Sequence, residues 1–156
     1  MKRIGVFPGS FDPFSKGHEN IVTRFLPMVD EIILAVGVNS TKKYFFDVES
    51  RVNHIKSLFK NHPSISVEIY SGLTTKFCLE KKAQFLLRGI RNTTDFEFEK
   101  SIAQMNKELS GIETLFLITD SSMAPISSSI IREIKKNDGD ISSFVTNSEL
   151  LIINTK

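Results

Sequence analysis

The chain opens on a short apolar run, Ile4-Gly5-Val6-Phe7 after Arg3, stopped by Pro8-Gly9, which predicts a first strand and a turn. A loop rich in Pro, Asp and Ser follows. Ile21, Val22, Phe25 and Leu26 then recur at helical spacing, predicting a helix over about residues 18–28 that ends near Pro27. Residues 31–38 are almost continuously apolar, as a strand buried on both faces should be. Asp47 is a good N-cap for a helix through about Phe59, with Val52, Ile55, Leu58 and Phe59 on one face. Residues 64–70 alternate as a strand, 74–82 form a short helix and 83–87 a short strand. A longer helix is predicted over 94–109, opened by Thr94 and Asp95 and closed by Ser110-Gly111. Residues 113–119 make the fifth strand, 127–136 a helix ended by Asn137-Asp138-Gly139, and 146–153 a last helix.

Five strands alternating with helices argue an α/β fold on a doubly wound, five-stranded parallel sheet. No Gly/Ser linker, Pro-rich stretch, charge block or fixed-period repeat interrupts it, so residues 1–156 read as a single domain. A chain of 156 residues can bury a core without disulfide staples. Its single cysteine, Cys78, excludes an internal disulfide and a cysteine-rich metal site. The longest apolar runs, 32–36 and 115–118, are far short of a membrane span, and the N-terminus enters the first strand without a signal-peptide profile. A reducing, cytoplasmic setting with no membrane partner is expected. The net charge of +2 argues against a general nucleic-acid binder, and no basic stripe interleaved with aromatics is present. The aromatics are nearly all Phe, 13 against two Tyr, and their spacing reads as core. Phe45-Phe46 is either a satellite cluster or a subunit contact.

Ligands in such sheets sit beyond the carboxyl ends of the strands, which singles out five loops. The first, Pro8-Gly9-Ser10-Phe11-Asp12-Pro13-Phe14-Ser15-Lys16-Gly17-His18, is neither a Walker A loop nor a dinucleotide fingerprint. It delivers Gly17 and His18 to a helix N-terminus, where free N–H groups favour an anion. A lone histidine at a helix start is ordinarily a solvated polar residue; the strand–Gly-Ser-Phe-Asp-Pro–Gly-His context favours a functional one. Lys42 and Lys43 in the second loop could grip a phosphate, but on this loop alone they read as two solvated lysines. Ser71-Gly72-Leu73-Thr74 is a plausible substrate wall. In the fourth loop Arg88 and Arg91 flank Gly89-Ile90, and arginine is the best fork for phosphate oxygens. Asp95 and Glu99 share a helix face, where they would hold ribose hydroxyls or an adenine amino group, or orient Arg91; the bland alternative pairs them with Lys100 and Lys107. The fifth, Met123-Ala124-Pro125-Ile126-Ser127-Ser128-Ser129 with Ile130-Ile131-Arg132, sets three serines at a helix start, with Arg132 a turn later able to point back at the same anion.

Taken together, Pro8-Gly9-Ser10-Phe11-Asp12-Pro13 with Gly17-His18, Arg88-Gly89-Ile90-Arg91, and Ile126-Ser127-Ser128-Ser129-Ile130-Ile131-Arg132 closely resemble the nucleotidyltransferase superfamily, and more narrowly the bacterial phosphopantetheine adenylyltransferases. The resemblance covers essentially the whole chain. It implies a Rossmann-like nucleotidyltransferase fold and the reaction of ATP with 4′-phosphopantetheine to give dephospho-coenzyme A and pyrophosphate, with Mg²⁺ carried by the ATP. It also implies a homohexamer. By the same resemblance His18 stabilises the transition state. Ser10, Phe11, His18, Gly89, Ile90, Arg91, Glu99, Met123, Ala124, Pro125, Ile126, Ser127, Ser128 and Ser129 hold the nucleotide. Ser10, Lys42, Thr74 and Arg88 hold the acceptor, and no residue is a metal ligand. Three positions depart from the common pattern: Ser15 replaces the first histidine of His-x-Gly-His, Ser10 replaces the commoner Thr, and Thr74 stands where a larger apolar residue is common.

Such chemistry needs little from the protein beyond positioning and charge stabilisation, because a phosphate nucleophile is already anionic. No Cys, Lys or Ser–His–Asp set argues for a covalent route. Two rivals remain at this point. One is a related transferase acting on nicotinamide mononucleotide or glycerol 3-phosphate. The other is a non-catalytic nucleotide-binding module.

Overall fold

In the computed structural model, which describes residues 1–155, β1 (Ile4–Gly9) runs through the middle of a five-stranded parallel sheet. On one side lie β2 (Glu31–Val38) and β3 (Ile65–Ser71); on the other lie β4 (Phe85–Ile90) and β5 (Glu113–Ile118). The order is β3-β2-β1-β4-β5, with Ile4 in register with Glu31, Gly5 with Phe85, and Phe85 with Glu113. The chain winds outward from β1 in one direction and then returns to fill the other. The two halves diverge between β1 and β4, and a crevice opens there beyond the strand ends.

Side chains alternate across the pleat, so β1 feeds both layers. Phe7 points with Leu34, Val36 and Leu87 toward α1 (Lys16–Phe25) and α2 (Val48–Leu58), packing on Ile21, Val22, Phe25 and Ile55. Val6 points the other way, with Ile33, Ala35 and Leu86, onto Phe77 and Cys78 of α3 (Thr74–Glu80). Val6, Leu34 and Ile55 are fully buried, each contributing roughly 1.5–3 kcal/mol relative to exposure. α4 (Thr93–Ser110) lies beside α3 and buries only Glu99. A third cluster joins Phe46 to Ile131 of α5 (Ser128–Lys136) and to Ile141 and Val145, so Phe45-Phe46 belongs to a satellite core.

The caps explain where the helices begin. Ser15, not His18, opens the first helix, accepting from the His18 N–H. Asp47 accepts from the Ser50 N–H at 3.1 Å, as its sequence position predicts. Asn92 rather than Thr94 caps α4, and Gly111 closes it in the left-handed region at φ +73°. Pro27 falls in a single 3₁₀ turn, Leu26–Met28, where its missing N–H is harmless. β4 begins two residues later than predicted and runs on through Arg88 and Gly89 to Ile90.

The last predicted helix, 146–153, is absent. Only a 3₁₀ turn forms, Ser148–Leu150, after Asn147 at φ +54°. Ile152 O accepts from the Asp47 N–H at 2.8 Å, Asn154 N–H donates to Phe45 O at 2.8 Å, and Ile153 bridges Phe46. An eight-residue helix is marginal by itself. Here the same backbone groups hold down the segment around Phe46 instead.

Candidate active site

The β1 loop is fixed from several sides. Phe11 adopts φ +47°, and its buried ring stands edge-on to Phe7, Phe14 and His18 at 5.5, 5.0 and 5.3 Å. A Cβ at Gly9 would lie 2.8 Å from that ring, so only glycine lets the loop close over it. Asp12, which the sequence reading gave no role, is buried and accepts from two backbone N–H groups, Phe45 at 2.7 Å and Phe46 at 2.8 Å. Its own carbonyl accepts from Arg132 Nη1 at 2.8 Å. Arg132 therefore does fold back, and its second amino group reaches Ser129 Oγ at 3.2 Å.

His18 is the third residue of α1 and takes the place usually held by Glu or Gln in a capping box. The Ser15 N–H donates to its Nδ1 at 3.0 Å, so the ring is neutral with its proton on Nε2. Burial, and then the nearby charges of Arg88 and Arg91, push its pKa down to about 4. Ser15, the departure from the His-x-Gly-His pattern, thus orients the histidine that remains.

Arg88 and Arg91 each take one of the two carboxylates on α4. Arg88 holds Glu99 by both oxygens, Nε to Oε2 at 2.8 Å and Nη2 to Oε1, and donates from Nη1 to Pro8 O at 2.6 Å. Arg91 holds Asp95 through Nε at 2.9 Å and Nη2 at 3.2 Å. That side-chain bond is the main reason the Asp95 carboxyl is held below the usual carboxylate range. Glu99 therefore orients Arg88 and not Arg91. Neither acid pairs with Lys100 or Lys107, which bond Glu97 and Glu113 instead. Gly89 has a packing reason as well as any reason from a ligand: a Cβ there would lie 2.9 Å from Ile21 Cγ1 on α1.

Two cavities meet along this line. One, of about 350 Å³, is bordered by Ser10, Phe11, His18, Gly89 and Arg91, and on its far wall by Met123, Ile126 and Ser127, Ser128 and Ser129. The other, of about 380 Å³, is bordered by Lys42 and Thr74. Ser10, Arg88 and Glu99 border both. Ile90, Ala124 and Pro125 border neither: Ile90 faces the core, and Ala124 N–H closes a turn onto Asp120 O at 3.0 Å. Sequence reasoning missed Tyr70, Ile102 and Asn106 on the wall of the second cavity. Tyr70 Oη lies 2.9 Å from Thr74 Oγ1, so the small Thr74 side chain is matched by a large neighbour. A helix-face reading of 102 and 106, one and two turns beyond Glu99, would have found the α4 pair.

The donors converge on the seam. Ser127 caps α5 through the Ile130 N–H, and Ser128 Oγ donates to Pro13 O at 2.8 Å. The Ser128 and Ser129 N–H groups at the helix start keep no protein partner among the described residues. Gly17 N–H, at the start of α1, is likewise free there. Lys42 Nζ stands 3.4 Å from Ser10 Oγ. This is two helix N-termini, two arginines and a lysine around one junction, a place for phosphate groups. Among the described residues no group of three or more His, Cys, Asp and Glu is arranged to hold a metal ion, and no helix is long and apolar enough to cross a membrane.

Comparison with known proteins agrees with this geometry. The cytidylyltransferase-like family model matches residues 6–134. A phosphopantetheine adenylyltransferase of Cytophaga hutchinsonii is 51% identical over 93% of this chain and 97% of its own length. Those of Flavobacterium psychrophilum and Bacteroides fragilis are 53% and 43% identical, each over 92% of this chain and 95% of their own. A solved structure of a putative nicotinate-nucleotide adenylyltransferase from Vibrio parahaemolyticus superposes with a TM-score of 0.68 over 96% of this chain and 91% of that one, at 22% identity, a likeness of fold. The chain belongs to the cytidylyltransferase-like family and, within it, to the phosphopantetheine adenylyltransferases.

Proposed function

We propose that this chain transfers the adenylyl group of ATP to 4′-phosphopantetheine, giving dephospho-coenzyme A and pyrophosphate in the penultimate step of coenzyme A biosynthesis. The observation that carries this reading is the seam of Ser10, Arg88 and Glu99, which borders both cavities and lets two anionic substrates meet end to end. ATP occupies the cavity with His18, Gly89, Arg91 and the Ser127–Ser129 helix start. The acceptor occupies the one with Lys42 and Thr74.

The acceptor phosphate oxygen attacks the α-phosphorus of ATP, a new P–O bond forms, and the bond from the α-phosphorus to the bridging oxygen breaks, releasing pyrophosphate. No general base is required. His18 donates its Nε2–H to the oxygen on which charge grows, and a neutral imidazole does so without giving up its proton. Arg88 is held by Glu99 and Pro8 O through three of its five N–H donors, leaving two for a phosphate. Mg²⁺ enters as part of the nucleotide substrate.

The cytoplasm is the setting this reading expects, with no nucleic-acid partner and a homohexameric assembly. What supports self-association is the outer face of α4, where Phe98, Met105 and Leu109 are more than 60% exposed at helical spacing. Sedimentation velocity tests it, with a six-fold mass expected and a monomer contradicting it.

The reaction itself is tested by pyrophosphate release from ATP and Mg²⁺ with 4′-phosphopantetheine in one tube and nicotinamide mononucleotide in another. Release with phosphopantetheine alone is expected. Release with the mononucleotide alone keeps adenylyl transfer and overturns the assignment of Lys42, Thr74 and Arg88. Binding of ATP without release in either tube makes the chain a nucleotide-binding module.

A further inference from the structure

Arg51, in the first half of α2, borders neither of the two cavities at the seam and is 1% exposed. Among the described residues it forms no ion pair. Its guanidinium is used on backbone instead. Nη1 donates to Ser10 O, Nε donates to Phe46 O at 3.1 Å, and the plane lies over the Tyr44 ring with its central carbon 4.5 Å from the centroid. Asp12 grips the same segment from the opposite sense, accepting from the Phe45 and Phe46 N–H groups.

The Asp12 and Asp47 carboxylates favour its charge without reaching ion-pair contact; burying a cation on those terms is unfavourable, and an apolar side chain of similar length serves packing as well or better. What an apolar side chain lacks is a rigid planar fork that fixes two carbonyls relative to each other. Those two carbonyls belong to the two loops that meet at the seam. Ser10 borders both cavities, and its hydroxyl faces Lys42; Lys42 and Tyr44 lie on the segment that ends at Phe46.

We propose that Arg51 is a positioning residue for adenylyl transfer: by gripping Ser10 O and Phe46 O together it sets the distance between the β1 loop and the lysine-bearing segment, and so the alignment of the acceptor on the nucleotide. This rests on the adenylyl-transfer reading above. Lysine carries its three donors on one rotatable nitrogen, without the rigid planar fork that fixes both carbonyls and covers Tyr44. Methionine keeps the apolar stem and bonds neither.

The test compares wild type with Arg51→Lys and Arg51→Met, measuring thermal unfolding, steady-state kinetics below the unfolding range, and amide exchange of the peptide spanning residues 9–12. A misalignment of this kind should lower kcat by about 100-fold while each KM moves by less than about 3-fold, and exchange of that peptide should rise. If Arg51→Lys fails to fold, Arg51→Met carries the comparison. A lower unfolding temperature with unchanged kcat and unchanged exchange overturns the proposal, and so does failure of both variants to fold, which makes Arg51 a folding residue. Wild type that releases no pyrophosphate overturns the reaction assigned above; the exchange comparison still reports whether Arg51 holds the loop.

Discussion

Arg88, near the end of β4, and Glu99, the buried carboxylate in the first half of α4, face each other as a two-pronged pair, and both border the two cavities. The acid lets an arginine lie partly buried among other cations without turning away. Glu99→Gln keeps one acceptor and sets an amide N–H against the other donor. We expect about 1–3 kcal/mol lower stability and a KM for the acceptor raised roughly ten-fold, with a smaller change in kcat. Varying phosphopantetheine at saturating ATP checks this, and an unchanged acceptor KM contradicts the role given to Arg88.

The His18 ring, with a pKa near 4 where an unburied histidine has about 6.5, remains neutral throughout the neutral range. Between these two values the unfolded chain binds more proton at this residue than the folded one. Its contribution therefore favours folding less as pH falls from 6.5 toward 4, and levels off below that. A ¹⁵N-imidazole titration, assigned by loss of the signal in His18→Gln, should give a midpoint near 4 in the free protein and a higher one with ATP bound, because the phosphates favour the imidazolium. A free-protein midpoint at the ordinary value would show that the ring is solvated.

His18→Ala removes the Nε2–H donor and leaves both cavities. We expect kcat to fall by about 10²–10³ with KM values changed only a few-fold, the pattern of a group that acts in the transition state. A loss expressed entirely in KM would make His18 a binding residue.

Gly89→Ala drives a methyl group to 2.9 Å from Ile21 Cγ1, on the helix that carries His18. Either the side chain yields or α1 shifts. We expect about 1–3 kcal/mol of destabilisation and a lower kcat, with Ile21→Ala, which removes Cγ1 and Cδ1, giving rescue in the double variant relative to the sum of the two single changes. Absence of rescue would place the clash at the ligand.

Most of the architecture was legible in the linear order of apolar runs and caps. Continuous apolar residues at 31–38 mark a strand covered on both faces, and Asp47 and Gly111 mark helix ends, because these signals act over a few residues. The 146–153 segment reads as a helix from its own residues and does not form one, because its competing interactions come from residues 45–50, far away in sequence. The glycine at position 89 was readable as a place lacking a side chain, but not as a close approach to Ile21, for the same reason.

The sequence by itself determined the family, the order of strands and helices, and the short motifs that bring Ser10, His18, Arg88 and the three serines to strand ends and helix starts. Those motifs depend on local backbone geometry, which neighbouring residues dictate. Only the tertiary structure decided the pairings. Glu99 belongs to Arg88 and Asp95 to Arg91, Asp12 and Arg51 fasten one loop to another, and the neutral form of His18 follows from burial beside two arginines. Partner choice among several equivalent charges depends on distances set by the packing of whole elements, and no spacing along the chain carries that information.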